Sequence, residues 1–202
     1  YDRLVGSEMC IRDRTCISAN RLFVEEKIFD KFLKKLVVRI KKLKVGNGFE
    51  KSDVGPLISE KAIKKIKNHI DDALSKGGEI LIGGKKSKIG KLFFEPTIVT
   101  NINKSMKIFS NENFGPIIPV IKFKSDDELI QLANDTNYGL AAYFYTKKAS
   151  RVWKIIENLE YGMLGINSGK ISSYLNPFGG LKESGVGSCL LYTSDAADEW
   201  PG

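Results

Sequence analysis

Residues 117–133 read IIPVIKFKSDDELIQLA, and the character of the chain changes halfway through. Ile117, Ile118, Val120, Ile121 and Phe123 suit an extended, half-buried backbone, so residues 117–123 are predicted as a strand. Ser125 followed three residues later by Glu128 is a capping box, in which a hydroxyl and a carboxylate satisfy N–H groups at a helix start, and it predicts a helix through Ala133. The alternation then repeats. Ala141 to Tyr145 reads as a strand, Thr146 as the cap of a helix burying Val152, Trp153, Ile156 and Leu159, and Gly162 to Ile166 as another strand.

The upstream half follows the same rhythm. Phe32, Leu33, Leu36, Ile40 and Leu43 interleave with Lys31, Lys34, Lys35, Lys41, Lys42 and Lys44 at three-to-four-residue spacing, which predicts an amphipathic helix from about Glu26 to Lys44, ended by Gly46 and Gly48. A second helix is predicted after Ser59, with Ile63, Ile66, Ile70 and Ala73 on one face and a stop at Gly77-Gly78. Short strands are expected at Ile80 to Ile82 and around Thr97 to Val99. Helix and strand signals that alternate in this way argue for an α/β fold with a mainly parallel sheet.

A chain of 202 residues with 42% hydrophobic content can bury one good core. Its formal net charge is +8, and leaving out the three uncompensated acids of residues 188–202 raises that to +11. A basic chain brings nucleic acid to mind as a partner. Here the lysines line helix faces as a solvated surface, so no nucleic-acid partner is expected. No stretch approaches the ~20 apolar residues a membrane span needs, and no membrane association is expected. An unpaired core thiol fits a reducing, cytoplasmic compartment.

Three ordered pieces of sequence stand out. The first is Thr15-Cys16-Ile17-Ser18-Ala19-Asn20-Arg21, the second Asn111-Glu112-Asn113-Phe114-Gly115-Pro116, the third Pro177-Phe178-Gly179-Gly180-Leu181-Lys182-Glu183-Ser184-Gly185. In order and spacing they resemble the nucleophile segment, the cofactor-ribose segment and the closing glycine-rich loop of the aldehyde dehydrogenase superfamily, and the wording between them is nearest to its succinate-semialdehyde branch. The resemblance implies an open α/β sheet, mainly parallel, with helices on both faces. It also implies a longer, homo-oligomeric parent chain, an aldehyde substrate and NAD or NADP as cofactor. Residues 15–187 are read as a partial catalytic domain. Residues 1–14 (YDRLVGSEMCIRDR) and 188–202 (SCLLYTSDAADEWPG) do not continue the resemblance and are expected to be non-native, adapter-derived ends. Cys10 and Cys189 fall in those ends, so Cys16 is the sole thiol of the core and no disulfide framework is expected.

By the resemblance, Cys16 is the nucleophile. A thiol is partly ionised near neutral pH and intrinsically reactive, which suits attack on an aldehyde carbonyl. Taken alone it would be an ordinary small buried hydrophobe. The resemblance makes Glu112 the acceptor for the hydroxyls of the nicotinamide ribose, its two carboxylate oxygens matching a vicinal diol. It sets Phe114 beside the nicotinamide ring. Alone, these would be a loop acid and a core aromatic in a Gly-Pro turn. The family's general base lies upstream of the cysteine, so Glu112 is not assigned that role, and the chain by itself is expected not to turn over. Ser172, with Ser173 as its neighbour and rival, matches the serine that binds the distal carboxylate in the succinate-semialdehyde branch, and Phe178 would line the aldehyde tunnel. Alone, Ser172 would be a loop hydroxyl bonded to its own backbone and Phe178 a core aromatic.

Some positions depart from the pattern. Cys10 stands where the branch has a carboxylate-binding arginine, and Arg14 where the family usually has glutamine. Ser18 replaces the second cysteine that gives some members a redox switch. A different aldehyde dehydrogenase, such as one for glutarate semialdehyde, and a non-catalytic basic binding module are the alternative readings. His69, the lone histidine, is expected to be solvated on a Lys-rich helix beside Asp71 and Asp72, which leaves a histidine-dependent hydrolase without support. One core cysteine and one histidine do not make a structural zinc site, and no metal is expected.

Overall fold

The computed structural model describes residues 16–171 and 177–185, in two compact units. Residues 20–129 form one. Residues 16–19 join those from 130 onward in the other.

The first unit is built on a four-stranded sheet. Its strands are β1 (Leu22–Glu25), β2 (Glu79–Ile82), β3 (Thr97–Thr100) and β4 (Ile117–Phe123), in the order β1-β4-β3-β2. β4 runs parallel to both β1 and β3, and β2 is antiparallel at the edge. Pro119, which has no N–H to give, sits where β4 changes partner: residues Ile117 to Pro119 face β3, and Val120 to Phe123 face β1.

Alternating residues of each strand point to opposite faces, so the sheet needs cover on both. Helix α1 (Phe29–Ile40) supplies Phe29, Leu36 and Ile40 to a cluster with Val24, Ile98 and Val120. Helix α2 (Glu60–Ser75) supplies Ile63, Ile66, Ile70 and Ala73 to a second cluster with Val99 and Ile117 on the opposite face. Ile63, Ile66, Ile98 and Val99 are 0–2% exposed. Each such aliphatic side chain contributes roughly 1.5–3 kcal/mol of burial.

Local chemistry sets the ends. Ser59 Oγ accepts from Ala62 N–H to start α2, and Gly77, at φ +90°, follows its last turn. A short helix, α3 (Lys107–Ser110), starts where Asp72 of α2 accepts the N–H of Lys107 at 2.8 Å. At α4 (Asp126–Asn134) Ser125 Oγ accepts from Glu128 N–H as expected, and the Glu128 carboxylate reaches one residue further back than the box predicts, accepting from Lys124 N–H at 2.7 Å.

The second unit contains β5 (Tyr138–Gly139), β6 (Ala141–Phe144), helix α5 (Ala149–Asn158), β7 (Met163–Ile166) and β8 (Leu181–Lys182). β6 pairs with β7 in parallel, and β5 with β8 antiparallel.

Four expectations need correction. The first helix stops at Ile40 rather than Lys44, because Lys44 is drawn into a loop: its N–H donates to Asp53 Oδ2, and its carbonyl accepts from Asp53 and Val54. Thr146 does not cap α5. Its hydroxyl accepts from Lys148 N–H in a preceding turn, and its backbone is bracketed by the Asn167 amide. Trp153 is 65% exposed, since it lies about 100° off the stripe made by Val152, Ile155, Ile156 and Leu159. His69 is 4% exposed, three residues after Ile66 and so on the buried face of α2.

Candidate functional site

Cys16 lies exposed in a turn. Tyr143 of β6 holds the next residue: its hydroxyl donates to the Ile17 carbonyl at 2.9 Å. Burial first, and the nearby Cys16 and Tyr145 charges second, push the Tyr143 phenol up to about 12, so it remains a proton donor at neutral pH. Its ring has room because the residue paired with it on β7 is Gly165. A Cβ there would lie 2.7 Å from both the Tyr143 ring and the Ile171 side chain. One glycine thus sets an aromatic ring, and the ring sets the carbonyl beside Cys16.

Glu112 and Phe114 share a loop in the other unit, between α3 and β4. Asn20 holds this loop by a double contact. Its Oδ1 accepts from Asn113 N–H at 2.9 Å and its Nδ2 donates to the Asn111 carbonyl at 3.3 Å, one bond on each side of Glu112. The next residue, Arg21, lies over the rings of Phe109 at 5.0 Å and Phe23 at 5.4 Å. From below, buried Asn113 meets His69, with 2.7 Å between Oδ1 and Nδ1, and donates its Nδ2 to the Ile108 carbonyl at 3.4 Å. Gly115 rests directly on α2, where a Cβ would collide with Ile66. Between these fixed points Glu112 is half-buried, and Phe114 takes φ +38° and is 45% exposed. A left-handed backbone costs about 1 kcal/mol or more outside glycine, and the flanking contacts offset it.

The closing loop belongs to the unit of Cys16. Gly162 is packed so closely on Gly179 that a Cβ would strike its carbonyl, and Phe178 is half-buried beside it in sequence. Lys182 ties the loop down. Its ammonium donates to the carbonyls of Asn134, the last residue of α4, and Thr136, just beyond it, at 2.8 and 3.1 Å, and pairs with Glu160. Ser184 Oγ accepts from Gly139 N–H, and Glu183 N–H donates to the Asn137 carbonyl. Ser172 and its neighbour Ser173 lie outside the described residues. Among the described residues no group of three or more His, Cys, Asp and Glu side chains could hold a metal ion, and no helix is long and apolar enough to cross a membrane.

Five residues that build these sites were not singled out in the sequence for the part they play: Asn20, Asn113, His69, Tyr143 and Lys182. Asn20, Asn113 and Lys182 stand inside the three motifs, and the i, i+3 step from Ile66 marks His69. Nothing local marks Tyr143.

A model of the aldehyde dehydrogenase family matches residues 1–199, and the chain belongs to that family. It is 46% identical over 175 residues to an Escherichia coli succinate-semialdehyde dehydrogenase named for NADP(+), and 48% identical over 175 residues to a glutarate-semialdehyde dehydrogenase of Pseudomonas putida. Each alignment covers 86% of this chain and 36% of the relative. The crystal structure of succinate-semialdehyde dehydrogenase from Burkholderia pseudomallei superimposes with a TM-score of 0.85 at 49% identity, over 88% of this chain and 37% of that one. The chain therefore spans a little over a third of the length of the relatives it matches. The α/β fold with its mixed, mainly parallel sheet agrees with those structures.

Proposed function

We propose that this chain carries the catalytic segment, residues 15–187, of an enzyme that oxidises succinate semialdehyde or a close dicarboxylic semialdehyde to the acid, with NAD or NADP as oxidant. The observation that carries the reading is Cys16, exposed on a turn held by Tyr143, inside a chain of this family. The names of the relatives support the substrate class, and glutarate semialdehyde is the alternative within it.

In this mechanism the Cys16 thiolate adds to the aldehyde carbon and forms a C–S bond, giving a thiohemiacetal. Bound dinucleotide supplies the hydride acceptor. Loss of hydride from the same carbon leaves a thioester on Cys16, and attack by water then breaks the C–S bond, releasing the carboxylic acid and the thiol. Ile17, pinned through its carbonyl, keeps the sulfur aimed at one point rather than sweeping with a loose turn. The loop fits the dinucleotide's ribose, since Asn20 holds both flanks of Glu112 and leaves its two carboxylate oxygens to accept from a vicinal diol. Phe114 would offer its exposed ring to the nicotinamide. Ser172 would bind the substrate's distal carboxylate, and Phe178 would line the approach.

The test is a graft of residues 15–187 into the framework of a full-length relative, assayed with succinate semialdehyde and each cofactor. Cys16→Ala is expected to abolish nicotinamide reduction while cofactor binding survives. Activity within tenfold of the graft would remove Cys16 as nucleophile.

A further inference from the structure

Beneath the Glu112 loop lies a buried polar pair. His69 on α2 and Asn113 in the loop are 4% and 3% exposed, and the 2.7 Å contact between them crosses 44 residues of chain. Because Asn113 Nδ2 donates to the Ile108 carbonyl, its Oδ1 is the atom left facing the ring, so His69 Nδ1 must carry the proton. Two further bonds complete the arrangement: Asn113 N–H to Asn20 Oδ1, and Asn111 N–H to the Lys107 carbonyl at 2.9 Å.

We infer that His69 is a positioning residue, holding Asn113 as the Nδ1–H tautomer and thereby fixing where the Glu112 carboxylate is presented. The inference rests on the proposed role of Glu112. An asparagine sealed from water needs partners, and here one amide end meets His69 and the other the Ile108 carbonyl while its backbone N–H is held by Asn20. Burial lowers the imidazole pKa, the Asn113 bond opposes that, and Lys65 and Lys107 lower it further against the weaker pull of Asp72. The ring is accordingly neutral at physiological pH, as a single-proton donor at Nδ1 requires.

The experiment uses the 202-residue chain itself. In the wild type, imidazole nitrogen shifts should report the Nδ1–H tautomer at pH 7.5, and an Nε2–H tautomer would overturn the inference. Amide exchange is then compared between Asn113 and reference amides of α1, in His69→Leu and His69→Asn. The leucine has no donor, and Asn113 should exchange at least about tenfold faster relative to α1. Asparagine can put an amide N–H near the Nδ1 position, and protection should return to within about threefold of wild type. Equal loss of protection in α1 and the loop, or no recovery with asparagine, would mean His69 only fills space. If the leucine chain does not fold, the tautomer and the asparagine variant still decide. The ribose role fails separately: Glu112→Gln in the grafted dehydrogenase leaving the cofactor KM unchanged would remove that role and leave the exchange result standing.

Discussion

Asn20 Oδ1 accepts the backbone N–H of Asn113 at 2.9 Å, a bond that spans 93 residues of sequence within one compact unit. The same side chain donates to the Asn111 carbonyl, so one amide spans the residue between. The two bonds fall on either side of Glu112, on Asn111 and Asn113.

Asn20→Ala removes both bonds. A net hydrogen bond is worth about 0.5–1.5 kcal/mol, so urea unfolding of the chain should show a loss of about 1–3 kcal/mol. Asn20→Asp keeps the acceptor for Asn113 and should recover roughly half of it. No change with alanine would make the contact incidental.

Tyr143→Phe keeps the ring and deletes only the bond to the Ile17 carbonyl. In the grafted enzyme kcat should fall about five- to tenfold with the aldehyde KM nearly unchanged, because the loss lies in aiming the thiolate and not in holding substrate. The folded-state pKa near 12 lies above the ordinary 10, so the folded chain keeps its proton longer than the unfolded one. This contribution to stability is complete below pH 10 and is lost as pH rises toward 12. Chemical denaturation at pH 9 and 11 should show a smaller drop in Tyr143→Phe than in the wild type.

The pH dependence of His69 has the opposite sign. Its folded pKa is below the ordinary 6.5, so between the two values the unfolded chain binds more protons and stability rises with pH. The contribution is present above about pH 6.5 and lost as pH falls through the folded value. Urea midpoints from pH 7.5 down to 5 should fall less steeply in His69→Asn. Parallel profiles would mean that the ring is not titrating under protection.

Ser172→Ala tests the substrate assignment in the grafted enzyme. A hydrogen bond to a charged carboxylate is worth about 1.5–3 kcal/mol, so kcat/KM for succinate semialdehyde should drop roughly ten- to a hundredfold. Butanal, of equal length and without the carboxylate, should be almost unaffected. If the ratio between the two substrates stays constant, Ser172 does not read the distal group.

Periodicity and capping, both local properties, were enough to place most of the architecture. The strand over Ile117–Phe123, the Ser125–Glu128 box and the Ile63, Ile66, Ile70, Ala73 face all stand where the residues put them. Errors arose where a neighbour in space outbid a neighbour in sequence. Lys44 leaves the helix for Asp53, Thr146 is held by Asn167, and β1 was missed because four residues, Leu22–Glu25, have too little pattern to read without β4 beside them. Cys16, Glu112 and Phe114 were singled out by the resemblance, through the motifs that hold them. Their support was decided by folding: a tyrosine, a histidine or an asparagine has the same local signature whether it faces water or a buried carbonyl. Only the closure of β6 on β7 brings Tyr143 to Ile17, and only the seating of α2 under the loop gives His69 to Asn113. A hydrogen bond needs two atoms within about 3 Å, and chain separations of 44, 93 and 126 residues carry no trace of that distance until the core has packed.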